Sequence, residues 1–395
     1  MRRGRHRLIL TLAGAAVGVS ALAVQAGTGK AGVPVVPVYD GNSGFMRTCI
    51  FAPQGRVRAC YIRRLLTEIE KSRDPARELP RIDRRVREVG GYVQSNCHMM
   101  MHVVGRTYAR RNHVTLANLQ RNLPRSNDPG CSAGFGMGLV MALGGEIGRL
   151  GPDGALQICR RAPTRFRSYT CIHSLGHAYM RLYHSQLAFA LKACRMLPAN
   201  AAPDCAQGAY HDYWFSAVGR DGTKRQRGGE ASARSLCGRQ IHDFVRPCWF
   251  RYFLELPPKR LPANAAGVRA LCRGLAAIQR VGCVSAASLI TSADPFRQMT
   301  ICSRLRGADT ISCLYGLSIQ NLSDASGARR VSLIDRCGKL RTGARAACYE
   351  WLGTGLTVVT NGRFRERGCP FIPPEGRNPC LAGANRMNQA LVTFS

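Results

Sequence analysis

One stretch of the chain decides the fold: Ser185 to Gly219 reads SQLAFALKACRMLPANAAPDCAQGAYHDYWFSAVG. Its first part, Gln186 to Leu197, carries apolar residues at helical spacing and is followed by a proline. Asp204 can then cap a second helix, predicted from Cys205 to Val218. Because antiparallel helices bring the end of the first close to the start of the second, Cys194 and Cys205 can form a disulfide.

The same cysteine spacing recurs along the chain. Seven pairs have ten intervening residues: Cys49 and Cys60, Cys194 and Cys205, Cys237 and Cys248, Cys272 and Cys283, Cys302 and Cys313, Cys337 and Cys348, and Cys369 and Cys380. An eighth pair, Cys159 and Cys171, has eleven, and Cys97 and Cys131 complete the 18 cysteines. Cys97 and Cys131 most simply pair with each other, and a thiolate ligand beside His98 is the alternative.

The period of these pairs predicts the architecture. Towards the C-terminus the second cysteines recur every 30 to 35 residues, the period of a helix-turn-helix repeat. The sequence therefore predicts an all-α fold, a right-handed αα-hairpin solenoid of about nine or ten repeats with a local disulfide in most hairpins.

Small residues follow the second cysteine of most pairs at a fixed distance. Three positions on, the residue is Gly134, Ser174, Gly208, Ala286, Gly316 or Gly383. A small side chain there predicts that neighbouring helices approach each other closely. Arg251 and Trp351 occupy the same position and depart from the pattern.

Hairpins with this pattern resemble the cysteine-stapled Sel1-like repeats, relatives of tetratricopeptide arrays. The likeness rests on the A-C…turn…C-x-x-G pattern and covers most of Ala188 to Leu381. In those proteins the disulfide also joins the two helices of each hairpin, although their cysteines are typically closer in sequence. The resemblance implies a binding or scaffold role and no particular chemistry.

The N-terminus predicts export. Arginines precede an apolar run from Leu8 to Val24, and Val24-Gln25-Ala26 supplies small residues for cleavage. We expect a signal peptide at 1–26, a flexible segment at 27–45, a histidine-containing repeat half at 46–219, a basic glycine-rich loop at 220–230 and a C-terminal repeat half at 231–395. With no transmembrane segment expected after cleavage, the protein is predicted to be secreted or at the cell surface, where disulfides persist.

The formal net charge is +34, which suits an anionic partner such as a cell-envelope polymer. Another protein is the other partner class that we expect. Nucleic-acid binding is not favoured, because the arginines are spread along the whole chain. Codon bias is a sufficient alternative explanation, since arginine outnumbers lysine 51 to 6.

Histidines concentrate in the N-terminal half. Apart from His6, all of them lie between Cys97 and His242, and His98/His102 and His173/His177 form i,i+4 pairs. His211 lies six residues after its cysteine, as His177 does, so both should project from the same face of adjacent repeats. We therefore predict a metal site at His173, His177 and His211, joined by His98 and His102 where the array curves enough.

These segments also resemble an uncharacterised group of exported bacterial proteins. C-H-x-x-x-H-x-x-G-R matches from Cys97 to Arg106, and C-x-H-x-x-G-H-x-x-M matches from Cys171 to Met180. Between them the group has C-x-x-G-x-x-H, and this chain has Met137 in place of that histidine. The resemblance implies no known activity.

Neutral imidazoles suit a transition-metal ion such as Cu, Zn or Fe. The methionines near the histidines would favour Cu(I), although methionine more often fills a core. The zinc-protease motif is absent, because no glutamate lies between the paired histidines, so a hydrolytic base would have to be Asp212, Glu146 or another group. The structural alternative is that the histidines are simply packed and hydrogen-bonded.

Other chemistry is poorly supported by the sequence. No C-x-x-C-H motif for covalent haem is present, and the 23 acidic residues do not cluster as a calcium site or a glycosidase would require. We therefore expect an exported, disulfide-rich binding or scaffold protein with a histidine-built metal site. The alternatives are an exported metal-dependent enzyme that uses the same pocket, or a structural array that binds anionic envelope polymers.

Overall fold

The disulfides in the computed structural model join the cysteines that the spacing pairs. The local bonds link Cys49 to Cys60, Cys159 to Cys171, Cys194 to Cys205, Cys237 to Cys248, Cys272 to Cys283, Cys302 to Cys313, Cys337 to Cys348, and Cys369 to Cys380. Cys97 is bonded to Cys131, so the expected pairing is confirmed and Cys97 is not a thiolate ligand. A loop closed by one of the local bonds stabilises the fold by on the order of 2–3 kcal/mol in the chain-entropy account of disulfides.

The structure describes residues 49, 56–72, 74–126, 128–162, 165–215, 217–218, 224–225, 229–256, 260–291, 295–317, 327–360 and 363–388. The predicted signal peptide, the 27–45 segment and most of the 220–230 loop lie outside these residues.

Within the described residues the chain is helical apart from a two-residue antiparallel ladder, β1 (Ala217–Val218) with β2 (Lys224–Arg225). The helices are α1 (Val57–Lys71), α2 (Pro75–Val89), α3 (Gly91–Arg111), α4 (Leu119–Asn122), α5 (Cys131–Ala142), α6 (Gly144–Arg160), α7 (Arg165–Leu182), α8 (Leu187–Arg195), α9 (Ala202–Phe215), α10 (Glu230–Gly238), α11 (His242–Leu254), α12 (Ala265–Leu271), α13 (Ala277–Thr291), α14 (Pro295–Ser303), α15 (Ala308–Tyr315), α16 (Gly327–Gly338), α17 (Thr342–Val359), α18 (Arg363–Arg367), a 3-10 turn (Cys369–Phe371) and α19 (Pro374–Asn388).

The hairpin predicted between Ser185 and Gly219 is formed by α8 and α9, whose bounds differ slightly from the predicted ones. α9 begins at Ala202, so Asp204 lies in its first turn and is not its N-cap. The helix ends at Phe215, and Ala217–Val218 belong to the ladder, which shortens the second helix relative to the prediction. The negative charge of Asp204 still suits a helix N-terminus, where unpaired N–H groups carry partial positive charge.

The helices that carry the second cysteines, together with α3, which carries Cys97, pack side by side in chain order. α3 lies between α1 and α5, and the row continues through α7, α9, α11, α13, α15 and α17 to α19. α19 also packs against α7, so the last helix of the row contacts a helix from the middle of the row. The all-α array of hairpins is confirmed, whereas the right-handed solenoid stays a prediction, because these contacts do not establish an open superhelix.

Glycines three positions after the second cysteine lie where neighbouring second helices cross. A Cβ at Gly134 would overlap the carbonyl oxygen of His98, and one at Gly208 would overlap that of His173. The same contact recurs between Gly316 and Ser285 and between Gly383 and Glu350. The row thus depends on backbone-to-backbone contact at a repeated position, as the small residues predicted.

A buried carboxyl fixes the start of α5. Asp83 of α2 accepts a hydrogen bond from the Ser132 backbone N–H at 3.0 Å and another from the Ser132 hydroxyl. Burial is the main reason that the pKa of Asp83 is raised well above its usual value, with the nearby negative charge of Asp128 adding to the effect. Asp83 therefore caps α5 from another helix, since Gly130 offers no side-chain cap.

α5 and α6 follow each other with a sharp bend. In the part of the chain that the structure describes, no single helix combines the length and apolar composition needed to cross a bilayer. α5 and α6 reach that length and composition together, but they are bent by 91° at their junction. α6 bends again at Gly151, whose φ of 69° is a left-handed conformation that favours glycine.

We expect Gly208→Ala to destabilise the protein by roughly 1–3 kcal/mol, because the added methyl group overpacks a helix crossing. Gly343→Ala is the matched control, since an added Cβ in that exposed first turn of α17 meets nothing within 4 Å. There, the loss of glycine's freedom in the unfolded chain should stabilise the fold by up to ~1 kcal/mol. Urea unfolding with disulfides intact measures both changes, and equal effects at the two sites would contradict the close-crossing account.

Candidate metal centre

Five histidines from three helices come together in the N-terminal half. His98 and His102 lie on α3, His173 and His177 on α7, and His211 on α9. The His102 ring centroid is 5.4 Å from that of His177 and 6.4 Å from that of His211. The array therefore curves enough for both pairs to meet.

Close packing of α5 brings α3 and α7 to this distance. Gly134 and Gly138 of α5 contact the carbonyl groups of His98 and His102. Gly105 of α3 faces the Phe135 carbonyl across the same crossing. Larger residues at these glycines would hold α3 away from α5, and the two histidine pairs would separate.

His173, His177 and His211 form the tightest group. One ligand atom from each lies within 4.8 Å of the others, and all three residues are at least 93 % buried. The His177 ring centroid is 4.9 Å from that of His173 and 5.0 Å from that of His211. A single transition-metal ion can be held by three nitrogens that converge in this way.

Within each i,i+4 pair the Nε2 atoms face each other. They are 3.1 Å apart in His173 and His177 and 3.2 Å apart in His98 and His102. Two nitrogens bound tetrahedrally to one zinc ion, with bonds of ~2.0–2.1 Å, are about 3.3 Å apart. Both pairs are thus spaced as chelating ligands, although a hydrogen bond between the rings has the same length.

An oxygen atom lies close to the Nδ1 atom of one histidine in each pair. His98 Nδ1 lies 2.9 Å from the carbonyl oxygen of Pro129, which can only accept, so the proton is on Nδ1 and Nε2 carries a lone pair. Asp212 Oδ1 lies 2.8 Å from His177 Nδ1, without the alignment of a hydrogen bond. Metal-bound histidines commonly have such partners on the second nitrogen.

Burial favours the neutral form of His102, His173 and His211. The pKa values of His102, His173 and His211 are lowered well below the usual value, mainly by loss of hydration. The positive charge of Arg251 is the next cause for His173 and His211, and repulsion between the protonated forms of His98 and His102 is the next cause for His102. Neutral imidazole is the form that ligates metal.

Arg251 of α11 and Glu255, the residue that follows this helix, complete the cluster, and neither was predicted from the sequence. Arg251 Nη2 lies 3.4 Å from His173 Nε2, and Glu255 Oε1 lies 3.8 Å from His211 Nε2. A signal for Arg251 was present, because it replaces the small residue three positions after Cys248. Tyr169 lies beside the same site, its ring centroid 5.8 Å from that of His173, and nothing in its sequence context marked it.

The other candidates lie outside the cluster. Glu146 accepts a hydrogen bond from the Leu116 N–H at 3.2 Å near the start of α6, so it is not placed as a base for the histidines. Met100, Met101 and Met180 are buried in the continuous apolar core, the role expected of most methionines. His113 and His184 are exposed, both with positive φ.

Comparison with family models, curated proteins and solved structures finds no match to this chain. The resemblance to Sel1-like repeats and to the exported bacterial group therefore stays a prediction. The geometry of the histidine cluster is what points to a function.

Metal-free protein should lose stability as the pH falls below ~6.5. The unfolded chain then protonates its histidines, whereas the folded chain keeps His102, His173 and His211 neutral to lower pH. Because the unfolded state binds more protons, the free energy of unfolding decreases from that pH down to the folded pKa values.

His102→Gln should reduce this pH dependence by up to one proton, about 1.4 kcal/mol per pH unit. Urea unfolding at several pH values in the presence of a chelator measures it. His113→Asn is the control, because asparagine tolerates the positive φ of that exposed position. Parallel pH curves for the wild type and His102→Gln would contradict the burial of a neutral imidazole.

Proposed function

We propose that this protein is an exported binding or scaffold protein that holds a transition-metal ion through His173, His177 and His211. The observation that carries the proposal is the convergence of three buried imidazole nitrogens within 4.8 Å. Imidazole ligands suit Zn, Cu or Fe, and metal analysis of the purified protein will identify the ion within that class. The nine disulfides support an oxidising, extracytoplasmic location.

Access to the cluster also supports this proposal. The Asp212 side chain is 30 % exposed and lies against His177, and His98 is partly exposed. An ion can thus approach along an acidic side chain before it meets the imidazoles. The overall basic charge makes such a local carboxylate important, because most of the surface repels cations.

The anionic envelope partner remains a proposal that depends on the net charge of +34. It concerns the protein surface, so it is compatible with a metal ion in the buried cluster. An array of stapled hairpins would serve as the scaffold that keeps the metal centre at such a polymer.

We expect His177→Gln to abolish metal binding at this site, because His177 supplies one of the three nitrogen atoms that would hold the ion. Protein purified with its disulfides intact, loaded with Zn²⁺ and dialysed, should retain metal by elemental analysis, and the variant should lose that ion. His113→Asn and His184→Asn are matched controls outside the cluster. Wild-type protein without stoichiometric metal, together with a destabilised His177→Gln, would identify the histidines as core residues.

A metal-dependent enzyme that uses the same pocket is the second candidate, and Arg251 favours it. Arg251 is 9 % exposed and lies 3.4 Å from a proposed ligand atom. A buried guanidinium beside a metal ion brings like charges together, and a site that only stores metal does not need it. A small anionic substrate, bound between the ion and Arg251, would balance these charges.

Arg251→Gln should raise the affinity for Co²⁺ and abolish the effect of small anions on the visible spectrum of the bound ion. Removing a buried positive charge relieves repulsion of the metal and removes the anion's partner. Arg246→Gln, at an exposed position of the same helix, is the control with equal charge change. Acetate titrations of Co²⁺-loaded proteins supply the measurement, and an unchanged acetate response in Arg251→Gln would exclude Arg251 as an anion site.

A further inference from the structure

The pair His98/His102 repeats the design of His173/His177 on a different helix. Each pair has facing Nε2 atoms 3.1–3.2 Å apart, and in each one member has an oxygen atom within 3 Å of its Nδ1. The proposed ion at His173, His177 and His211 does not require His98 or its contact with Pro129.

His98 and His102 do not belong to the same compact group as the other three histidines. The mutual distance of 4.8 Å is satisfied by His173, His177 and His211. The His102 ring nevertheless lies next to both pairs, its centroid 4.8 Å from that of His98 and 5.4 Å from that of His177. Two adjacent ions fit this arrangement better than one ion with five ligands.

The backbone holds the His98/His102 pair as firmly as the other. Cys97, one residue before His98, is joined to Cys131 at the start of α5. The His98 and His102 carbonyl groups contact Gly134 and Gly138. Chelating positions that are fixed before binding lose little conformational freedom when an ion arrives.

We infer that the histidine cluster is a binuclear centre, in which His98 and His102 hold a second transition-metal ion beside the ion at His173, His177 and His211. This inference rests on the proposed function, because the first site supplies the neighbour. With two protein nitrogens, the second site has the lower affinity and leaves positions for water or an anionic ligand. Such open positions are the feature that distinguishes catalytic from structural metal sites.

The test is the stoichiometry of Co²⁺ binding to the disulfide-intact protein, by titration in the visible spectrum and by elemental analysis. The wild type should bind two ions in two steps. His98→Gln should bind one ion, with the tighter step unchanged, and His102→Gln is the second variant should His98→Gln fail to fold. His113→Asn should bind two, and circular dichroism with a thiol count checks folding.

The stoichiometries of the wild type and the two variants distinguish failure of this inference from failure of the proposed function. One ion in the wild type, kept by His98→Gln and lost by His177→Gln, would overturn the second site and leave the first. One ion lost in both variants would indicate a single ion shared by the whole cluster, which also overturns the inference. Absence of bound Co²⁺ in the wild type would overturn both proposals.

Discussion

Contact between a glycine and a carbonyl group on the adjacent second helix is the constraint on which the structure depends. In the hairpin of α8 and α9, the Cys194–Cys205 disulfide holds the start of the second helix against the first, and Gly208, three residues after Cys205, sets how near α7 lies. At Gly208 the partner is the carbonyl of His173 itself. The packing of the row and the position of the histidines are therefore determined by the same contacts.

The electrostatics of the cluster follow from this packing. Helices that touch through their backbones exclude water, so the imidazoles of His102, His173 and His211 lose hydration and their pKa values fall. A positive guanidinium, Arg251, is buried in the same place, and Glu255, the residue that follows α11, partly offsets its charge. Neutral ligands with one fixed cation and nearby carboxylates form a polar site within an apolar core.

Much of the local structure could be predicted from the sequence, because its determinants are local. The spacing of Cys194 and Cys205 defines a hairpin, and an i,i+4 histidine pair lies on one face of a helix by geometry alone. Convergence of His102 with His177 depends on the summed rotation between α3, α5 and α7, which no short segment encodes. The return of α19 to α7 and the role of Arg251 depend on the same long-range geometry.

The two histidine pairs lie at different sequence distances from their cysteines, and this difference explains how histidines on separate helices reach one site. On α7 the histidines lie two and six residues after Cys171, whereas on α3 they lie one and five residues after Cys97. One residue corresponds to a rotation of about 100° around a helix axis. α3 and α7 both pack against α5, so the histidines of α3 must project in a different direction from those of α7 to reach the cluster. Cys97 is also bonded across to α5, unlike the local pairs, and that bond fixes the rotated helix in place. The repeat is therefore altered in spacing and in disulfide pattern at α3, the helix that brings His98 and His102 to the cluster.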